Sequence, residues 1–218
     1  MPLIMRRRLL TLVLATALAA SLVSLARAWH EPGNNQGYEP VQPIAYSHRL
    51  HAGELQISCF YCHAGAETSR YAGIPSANIC ENCHRAVTAS LAATKGEEEL
   101  ATQQNRDVRA VVSPELKKLH DALALDNNRL PVAGRTPTPI VWTKVDALPD
   151  FVYFDHRAHV SAGVVCQRCH GPVESMERVR QVETLAMGWC VNCHRDVSRT
   201  GVNGKPVHAS IDCVTCHY

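Results

Sequence analysis

The first 28 residues have a hydrophobic pattern that sets them apart from the rest of the chain. Arg6, Arg7 and Arg8 precede residues 9–26, an uncharged and mostly apolar run of 18 residues. Basic residues ahead of such a run are the layout of an export signal. As a helix the run would cover about 27 Å, close to the hydrocarbon thickness of a membrane. We predict an N-terminal hydrophobic helix within residues 1–28 that is either a signal anchor or a signal peptide.

Beyond this segment the pattern predicts helices and irregular chain with little β structure. Ser113 is a suitable N-cap, Pro114 suits the first helical position, and three leucines follow on one helical face. The apolar runs 141–145 and 151–154 are short and strand-like.

A second pattern occurs twice. An aromatic residue is followed two positions later by a histidine, and a second histidine comes three positions after the first. This arrangement occurs at residues 46–51 and again at residues 154–159. Each copy is followed six or seven residues later by Cys-x-x-Cys-His. Such self-similarity indicates an internal duplication. We predict a module with two cofactors at residues 29–90, a linker with a helix at 91–145, and a module with three cofactors at 146–218.

All ten cysteines of the 218-residue chain belong to Cys-x-x-Cys-His motifs. In an exported protein this motif predicts covalent c-type haem: two thioether bonds hold the porphyrin, and the adjacent histidine is the proximal iron ligand. Zinc sites, redox-active disulfides and structural disulfides also use cysteine pairs, but none requires the histidine that follows all five. We number the motifs along the chain. Motif 1 is Cys59, Cys62 and His63; motif 2 is Cys80, Cys83 and His84; motif 3 is Cys166, Cys169 and His170; motif 4 is Cys190, Cys193 and His194; and motif 5 is Cys213, Cys216 and His217.

Composition fits five covalently bound haem c groups. Aromatic residues make up only 6% of the chain, too few for a conventional core, so the peptide is expected to wrap around its cofactors. The fold class predicted is mostly α and irregular. The net charge of +2 includes four arginines that precede the first acid, which leaves a mildly acidic body. That balance argues against a nucleic-acid partner.

Five six-coordinate irons need five ligands beyond the proximal histidines. Seven other histidines and two methionines outside the signal segment are available, so both axial positions of every iron can be occupied by side chains, which we call a closed iron. Closed irons suit electron transfer, whereas an open iron would bind and activate a small molecule. We therefore assign no catalytic residue and expect an electron-transfer subunit, not an enzyme in its own right.

The paired histidines resemble those of class III multihaem cytochromes, in which the first histidine binds its own module's first haem and the second reaches another. Carried over, this resemblance makes the pairs distal ligands, and it places a distal ligand near Met187, three residues before Cys190. For the fifth haem Met187, Met176, His120 and His208 stay open. The implied distal ligands are His48 for motif 1, His51 for motif 2, His156 for motif 3, His159 for motif 4 and Met187 for motif 5.

The segments between the motifs, at residues 43–53, 72–76, 148–154 and 187–194, resemble the pentahaem cytochrome c subunit of alternative complex III. The resemblance covers nearly all of the exported part. It implies a quinol-oxidising complex on the outer, periplasmic side of a bacterial cytoplasmic membrane. Its partners would be iron–sulfur and integral-membrane subunits, with a monohaem cytochrome c or a terminal oxidase as acceptor and the N-terminal helix as membrane contact.

Two other functions compete with this one. A free periplasmic multihaem electron carrier would have a cleaved signal and no partner subunits. A multihaem oxyanion reductase would need an open or unusually ligated haem, but all five motifs end in histidine and distal candidates exceed the need.

Overall fold

The computed structural model describes residues 3–28 and 35–217, without the side chains of residues 3–6, 9–10 and 24–28. Over these residues the chain is helical and irregular, as predicted. A π-helical turn at Arg49–Glu54 and a 3-10 turn at Val173–Ser175 accompany ten α-helices. The α-helices are α1 Leu3–Ala28, α2 Cys59–Cys62, α3 Gly65–Thr68, α4 Ala77–His84, α5 Leu91–Gln103, α6 Pro114–Ala122, α7 His156–Ser161, α8 Gln167–His170, α9 Met187–Thr200 and α10 Cys213–Cys216.

The predicted N-terminal anchor falls on α1, and part of it lies outside the described side chains. Within the described part of the chain, no helix has both the length and the apolar character needed to cross a membrane.

β structure is confined, among the described residues, to three isolated antiparallel bridges that join Leu125 to Pro131, Val152 to His217 and Val202 to Lys205. The strand expected at residues 141–145 is wrong. Its main chain pairs with a side chain instead: the amide of Gln42 donates to the Thr143 carbonyl at 2.9 Å and accepts from the Thr143 N–H at 2.9 Å. Of residues 151–154, only Val152 forms a bridge.

The linker contains two helices. The one predicted from Ser113 onward is α6, where the Ser113 hydroxyl accepts from the Leu116 N–H at 3.3 Å and caps the first turn. Helix α5 was not predicted from the sequence. Its signal is the N-cap Ser90 ahead of a run rich in alanine and glutamate, and Glu97 on that run binds Arg106 after the helix ends.

Large side chains contribute little to the core. The buried hydrophobic residues of the described chain are three alanines, Leu119 and Met176. A thin core of this kind agrees with a peptide that wraps cofactors.

Candidate functional site

Each Cys-x-x-Cys-His motif lies on or beside a short helix, namely α2, α4, α8, α9 and α10. One helical turn brings residues three positions apart to the same face, so the two sulfurs of a motif point to one side. All ten thiols are free. The motif histidine follows at the end of that turn, or within α9, close to the same face.

Four motif histidines are oriented by a hydrogen bond at Nδ1. The carbonyl oxygens of Gly73, Val87 and Ser210 and the carboxylate of Asp146 are the partners. A carbonyl oxygen can only accept, so the Nδ1 facing it carries the proton and Nε2 is left as the metal-binding nitrogen. The bonds are His63 to Gly73 at 2.6 Å, His84 to Val87 at 2.8 Å, His170 to Asp146 at 2.9 Å and His194 to Ser210 at 2.6 Å.

The same four histidines each face a histidine of a repeated pair, in the combinations that the class III resemblance implies. Two of these ring pairs are parallel and two are tilted. The distances between ring centroids are 6.5 Å for His48 and His63 at 3°, 6.4 Å for His156 and His170 at 3°, 6.1 Å for His51 and His84 at 59°, and 6.0 Å for His159 and His194 at 42°.

These distances fit two imidazoles on opposite sides of one iron. A metal–imidazole bond is about 2 Å long, and a ring centroid lies about 1 Å behind its nitrogen, so two coaxial ligands place their centroids about 6 Å apart. Rings in direct stacking lie closer, as Tyr46 and His51 do at 4.4 Å. The residues of motifs 1 to 4 therefore fit bis-histidine haem.

The second histidine of each repeated pair is held by the same contact in both copies. His51 donates from Nδ1 to the carbonyl of Ser47, four residues earlier, at 2.9 Å, and His159 donates to the carbonyl of Asp155, also four residues earlier, at 2.9 Å. In the second copy Asp155 also caps α7 by accepting from the Arg157 N–H at 2.9 Å.

An aromatic ring fits between the two histidines of each pair. Tyr46 meets His48 edge-on at 4.9 Å and stacks on His51 at 4.4 Å. Phe154 repeats this with its own histidines at 4.8 Å and 4.6 Å. The recurring aromatic residue thus fixes the two ring planes relative to each other, a role that the sequence reading did not assign.

Burial favours the uncharged forms of the site residues. It lowers the pKa of His48 to about 4, with His63 and His51 adding to the effect, so this imidazole is neutral at neutral pH, as a metal ligand must be. Burial raises the pKa of Tyr46 to about 12, and Cys62 and Cys80 add to the rise.

Five of the cysteine thiols have a raised pKa, unlike reactive thiolates. Burial raises the pKa of Cys169 to about 11, and the neighbouring Cys193 adds to the rise. Burial likewise raises the pKa of Cys166, with a further contribution from Cys59. Redox-active cysteine pairs show the opposite shift, because a low pKa is what makes a thiolate available.

Motif 5 differs from the other four. Its His217 pairs with Val152 in a β-bridge, and its ring contact is with Phe151 at 5.7 Å, not with a histidine. Its Cys216 raises the pKa of the Cys190 thiol of motif 4, after the larger effect of burial.

The four candidates for the fifth distal ligand lie in different surroundings. Met187 begins α9, one turn before Cys190, and is 69% exposed. Met176 is buried, and its carbonyl accepts from the Arg49 N–H at 2.9 Å. His208 is exposed.

His120 is completely buried, which is more than the sequence suggests. It lies beside the helix of motif 2, with its Nε2 3.7 Å from Glu81 Oε1, and neither of its ring nitrogens has a hydrogen-bond partner. In motif 2, His84 and His51 already face each other, so an iron bound there would not need His120.

Comparison with known proteins indicates the same class of protein. Residues 152–218 match the family described as cytochrome c7 and related cytochrome c. The chain is also similar to the menaquinone reductase, multihaem cytochrome c subunit, of Nitratidesulfovibrio vulgaris. The two are 24% identical over 196 residues, which cover 81% of this chain and 76% of that protein. Both matches support a multihaem cytochrome c that carries covalent haem and transfers electrons.

Proposed function

We propose that this chain binds five haem c groups, one at each motif, and conducts electrons as a subunit of a membrane quinol-oxidising complex of the alternative complex III type. The observation that carries the proposal is the set of four histidine pairs with centroids 6.0–6.5 Å apart. An iron held between two imidazoles has no open position for a substrate, so it exchanges electrons only.

Each residue of a motif has one role in this proposal. The two cysteines of a motif anchor the porphyrin, and the histidine that follows holds one face of the iron. The π turn with its N-cap residue His48, and α7, supply the opposite ligands of motifs 1 to 4. Met187 is the proposed opposite ligand of motif 5, because α9 places it one turn from Cys190, whose thiol pKa is raised by Cys216 of motif 5 as well as by burial. The bound haem supplies the iron that cycles between the ferric and ferrous states.

The partners follow from the relative and from the family resemblance. The relative is named as a subunit of a menaquinone reductase, and alternative complex III oxidises quinol, so both complexes exchange electrons with a quinone. We propose iron–sulfur and integral-membrane subunits as neighbours, with a monohaem cytochrome c or a terminal oxidase as acceptor. The haem-binding part would lie on the periplasmic side of a bacterial cytoplasmic membrane, with residues 1–28 as its export signal.

A second candidate function is the reverse flow of electrons. The name of the relative favours it, because a menaquinone reductase delivers electrons to the quinone. Purified complex should reduce cytochrome c when given a quinol if the first proposal holds. If the second proposal holds, the complex should reduce a menaquinone analogue when it is given a reduced cytochrome.

The composition of the purified protein tests the proposal. We expect a mature mass that includes five haems, five haems per chain by the pyridine haemochrome assay, and co-purifying membrane subunits. The matched variant Cys213→Ala with Cys216→Ala should lose one haem and keep four. Fewer than five haems in the unmodified protein, or zinc in their place, would contradict the haem assignment. A monomer without partners would favour the free periplasmic carrier, and CO binding by the unmodified reduced protein would favour a reductase.

A further inference from the structure

The two copies of the repeat contact each other crosswise. The π turn with its N-cap residue His48 is equivalent to α7, since each of the two segments carries a pair of histidines. Helix α3 and the 3-10 turn are also equivalent, since each follows the histidine of its copy's first motif. In the structure the π turn packs against the 3-10 turn of the other copy, and α7 packs against α3. In both directions, therefore, the histidine-pair element of one copy packs against the element that follows the first motif of the other copy.

Main-chain hydrogen bonds also join each histidine-pair element to the other copy. The N–H of Arg49, at the start of the π turn, donates to the carbonyl of Met176, six residues after His170, at 2.9 Å. The N–H of His156, at the start of α7, donates to the carbonyl of Arg70, seven residues after His63, at 3.2 Å.

The contact is close and partly charged. A Cβ atom at Gly53, in the π turn, would overlap the carbonyl oxygen of Glu174, so only glycine fits this approach. Arg49 also donates from Nε to Glu177 at 2.6 Å. Arg70 donates from Nε to the carbonyl of Phe154 at 3.1 Å.

Equivalent residues meet at the centre of this interface. Cys59 and Cys166 are the first cysteines of motifs 1 and 3, and Cys59 lies close enough to Cys166 to add to the rise that burial causes in the pKa of the Cys166 thiol. A residue can contact its own equivalent only near a twofold axis, which is the property of an isologous interface.

We infer that the two modules pair about an internal pseudo-twofold axis, so that the five haems of the proposed function lie in the spatial order 2, 1, 3, 4, 5. Haems 1 and 3 meet at the axis. Haem 2 lies beside haem 1 and haem 4 beside haem 3, because each histidine pair spans only one helical turn and serves both.

Haem 5 extends the row beyond haem 4. The carbonyl of Ser210, three residues before Cys213, accepts from His194 of motif 4 at 2.6 Å. At the other end of the row, the buried His120 on α6 lies beside Glu81 within motif 2. The order along the row therefore differs from the order along the chain.

Electron paramagnetic resonance on two double variants tests this order. His48→Ala with His156→Ala leaves haems 1 and 3 high-spin, whereas His51→Ala with His159→Ala leaves haems 2 and 4 high-spin. Each double variant removes one ligand from each module, so the two are matched. We expect strong dipolar broadening and fast relaxation of the high-spin signals only for haems 1 and 3, since dipolar coupling falls with the cube of distance. Equal broadening in the two variants, or broadening confined to haems 2 and 4, would overturn the inference.

A cross-link tests the interface without relying on the haem ligands. Arg49 in one copy and Glu177 in the other lie side by side. The Arg49 Nε donates to the Glu177 carboxylate at 2.6 Å, and the Arg49 N–H donates to the carbonyl of the preceding Met176 at 2.9 Å, so the two main chains are within reach of a disulfide. We expect Arg49→Cys with Glu177→Cys to form an intramolecular disulfide in the folded holoprotein, detected by peptide mapping, and none after denaturation. The two single variants are the controls.

Failure of the disulfide to form would overturn the pseudo-twofold arrangement. If neither double variant of the first experiment shows a high-spin haem, the ligand assignment of the proposed function is wrong. The disulfide then still decides whether the modules pair.

Discussion

Removal of His156 is the most direct perturbation of a proposed iron ligand. Its ring lies parallel to that of His170, with centroids 6.4 Å apart. Subtracting about 1 Å for each ring leaves about 4 Å between the two nitrogens, which is two metal–imidazole bonds of about 2 Å. His156→Ala therefore frees one axial position with space for a diatomic ligand, while His170 still holds the other.

The expected result is one CO-binding haem per chain out of five. The ferric protein should show one new high-spin haem and four unchanged low-spin haems, by absorption and magnetic circular dichroism. The ferrous protein should bind one CO, counted by titration. Added imidazole should occupy the cavity and restore the low-spin spectrum, which distinguishes loss of a ligand from misfolding.

Arg157→Ala is the matched control, since it changes the next residue of the same helix. Arg157 binds Asp155, and its loss should leave all five haems low-spin. The ligand assignment is refuted if His156→Ala retains five low-spin haems and binds no CO. It is also refuted if Arg157→Ala opens a haem to the same extent.

Three further predictions concern the ligand planes, the module interface and the fifth haem. Motifs 1 and 3 have parallel ligand planes and motifs 2 and 4 have tilted ones. The four bis-histidine haems of the ferric protein should therefore form two low-spin populations of equal size by paramagnetic resonance, beside the signal of haem 5, and the tilted population should have the larger highest g value; a single bis-histidine population would contradict this. Gly53→Ala should lower the free energy of unfolding by about 1–3 kcal/mol, because its methyl group meets the Glu174 carbonyl. The control Gly96→Ala, at an open helical position, should raise it by about 0.5–1 kcal/mol in denaturant titrations; equal effects would argue against a close interface. Met187→Ala should remove the highest midpoint potential in a redox titration, since a thioether ligand raises the potential above that of bis-histidine haem. Met176→Ala should instead cost about 2–5 kcal/mol of stability and leave that potential in place; an unchanged highest potential in the Met187 variant would exclude it as the ligand.

The motifs were predictable from the sequence because covalent chemistry fixes their spacing. Two thioether bonds to one porphyrin require two cysteines on one helical turn, and the proximal ligand must follow directly. The cap at Ser113 was readable for a similar reason, since its hydrogen bond is to a residue three positions away. These features depend on local contacts alone.

Contacts between distant segments could not be predicted from the sequence in this way. Thr143 pairs with the side chain of Gln42, so an apolar run that suits a strand has no strand to join. Asp146 orients His170 from 24 positions away, and no periodicity indicates that contact. Which histidine faces which motif was inferred through family resemblance, because spacing along the chain does not specify a partner across the fold.

The duplication also shows where the two halves of the molecule stop being equivalent. Ala45 and Tyr153 each precede a histidine pair by three residues. The N–H of Ala45 donates to Glu115 on α6 at 2.6 Å, whereas the N–H of Tyr153 donates to the carbonyl of Cys216 in motif 5 at 2.8 Å. A linker helix therefore contacts one copy at the position where a cofactor motif contacts the other. A symmetric row of four haems has no intrinsic direction, so any preference for the direction of electron flow must come from this difference between its ends.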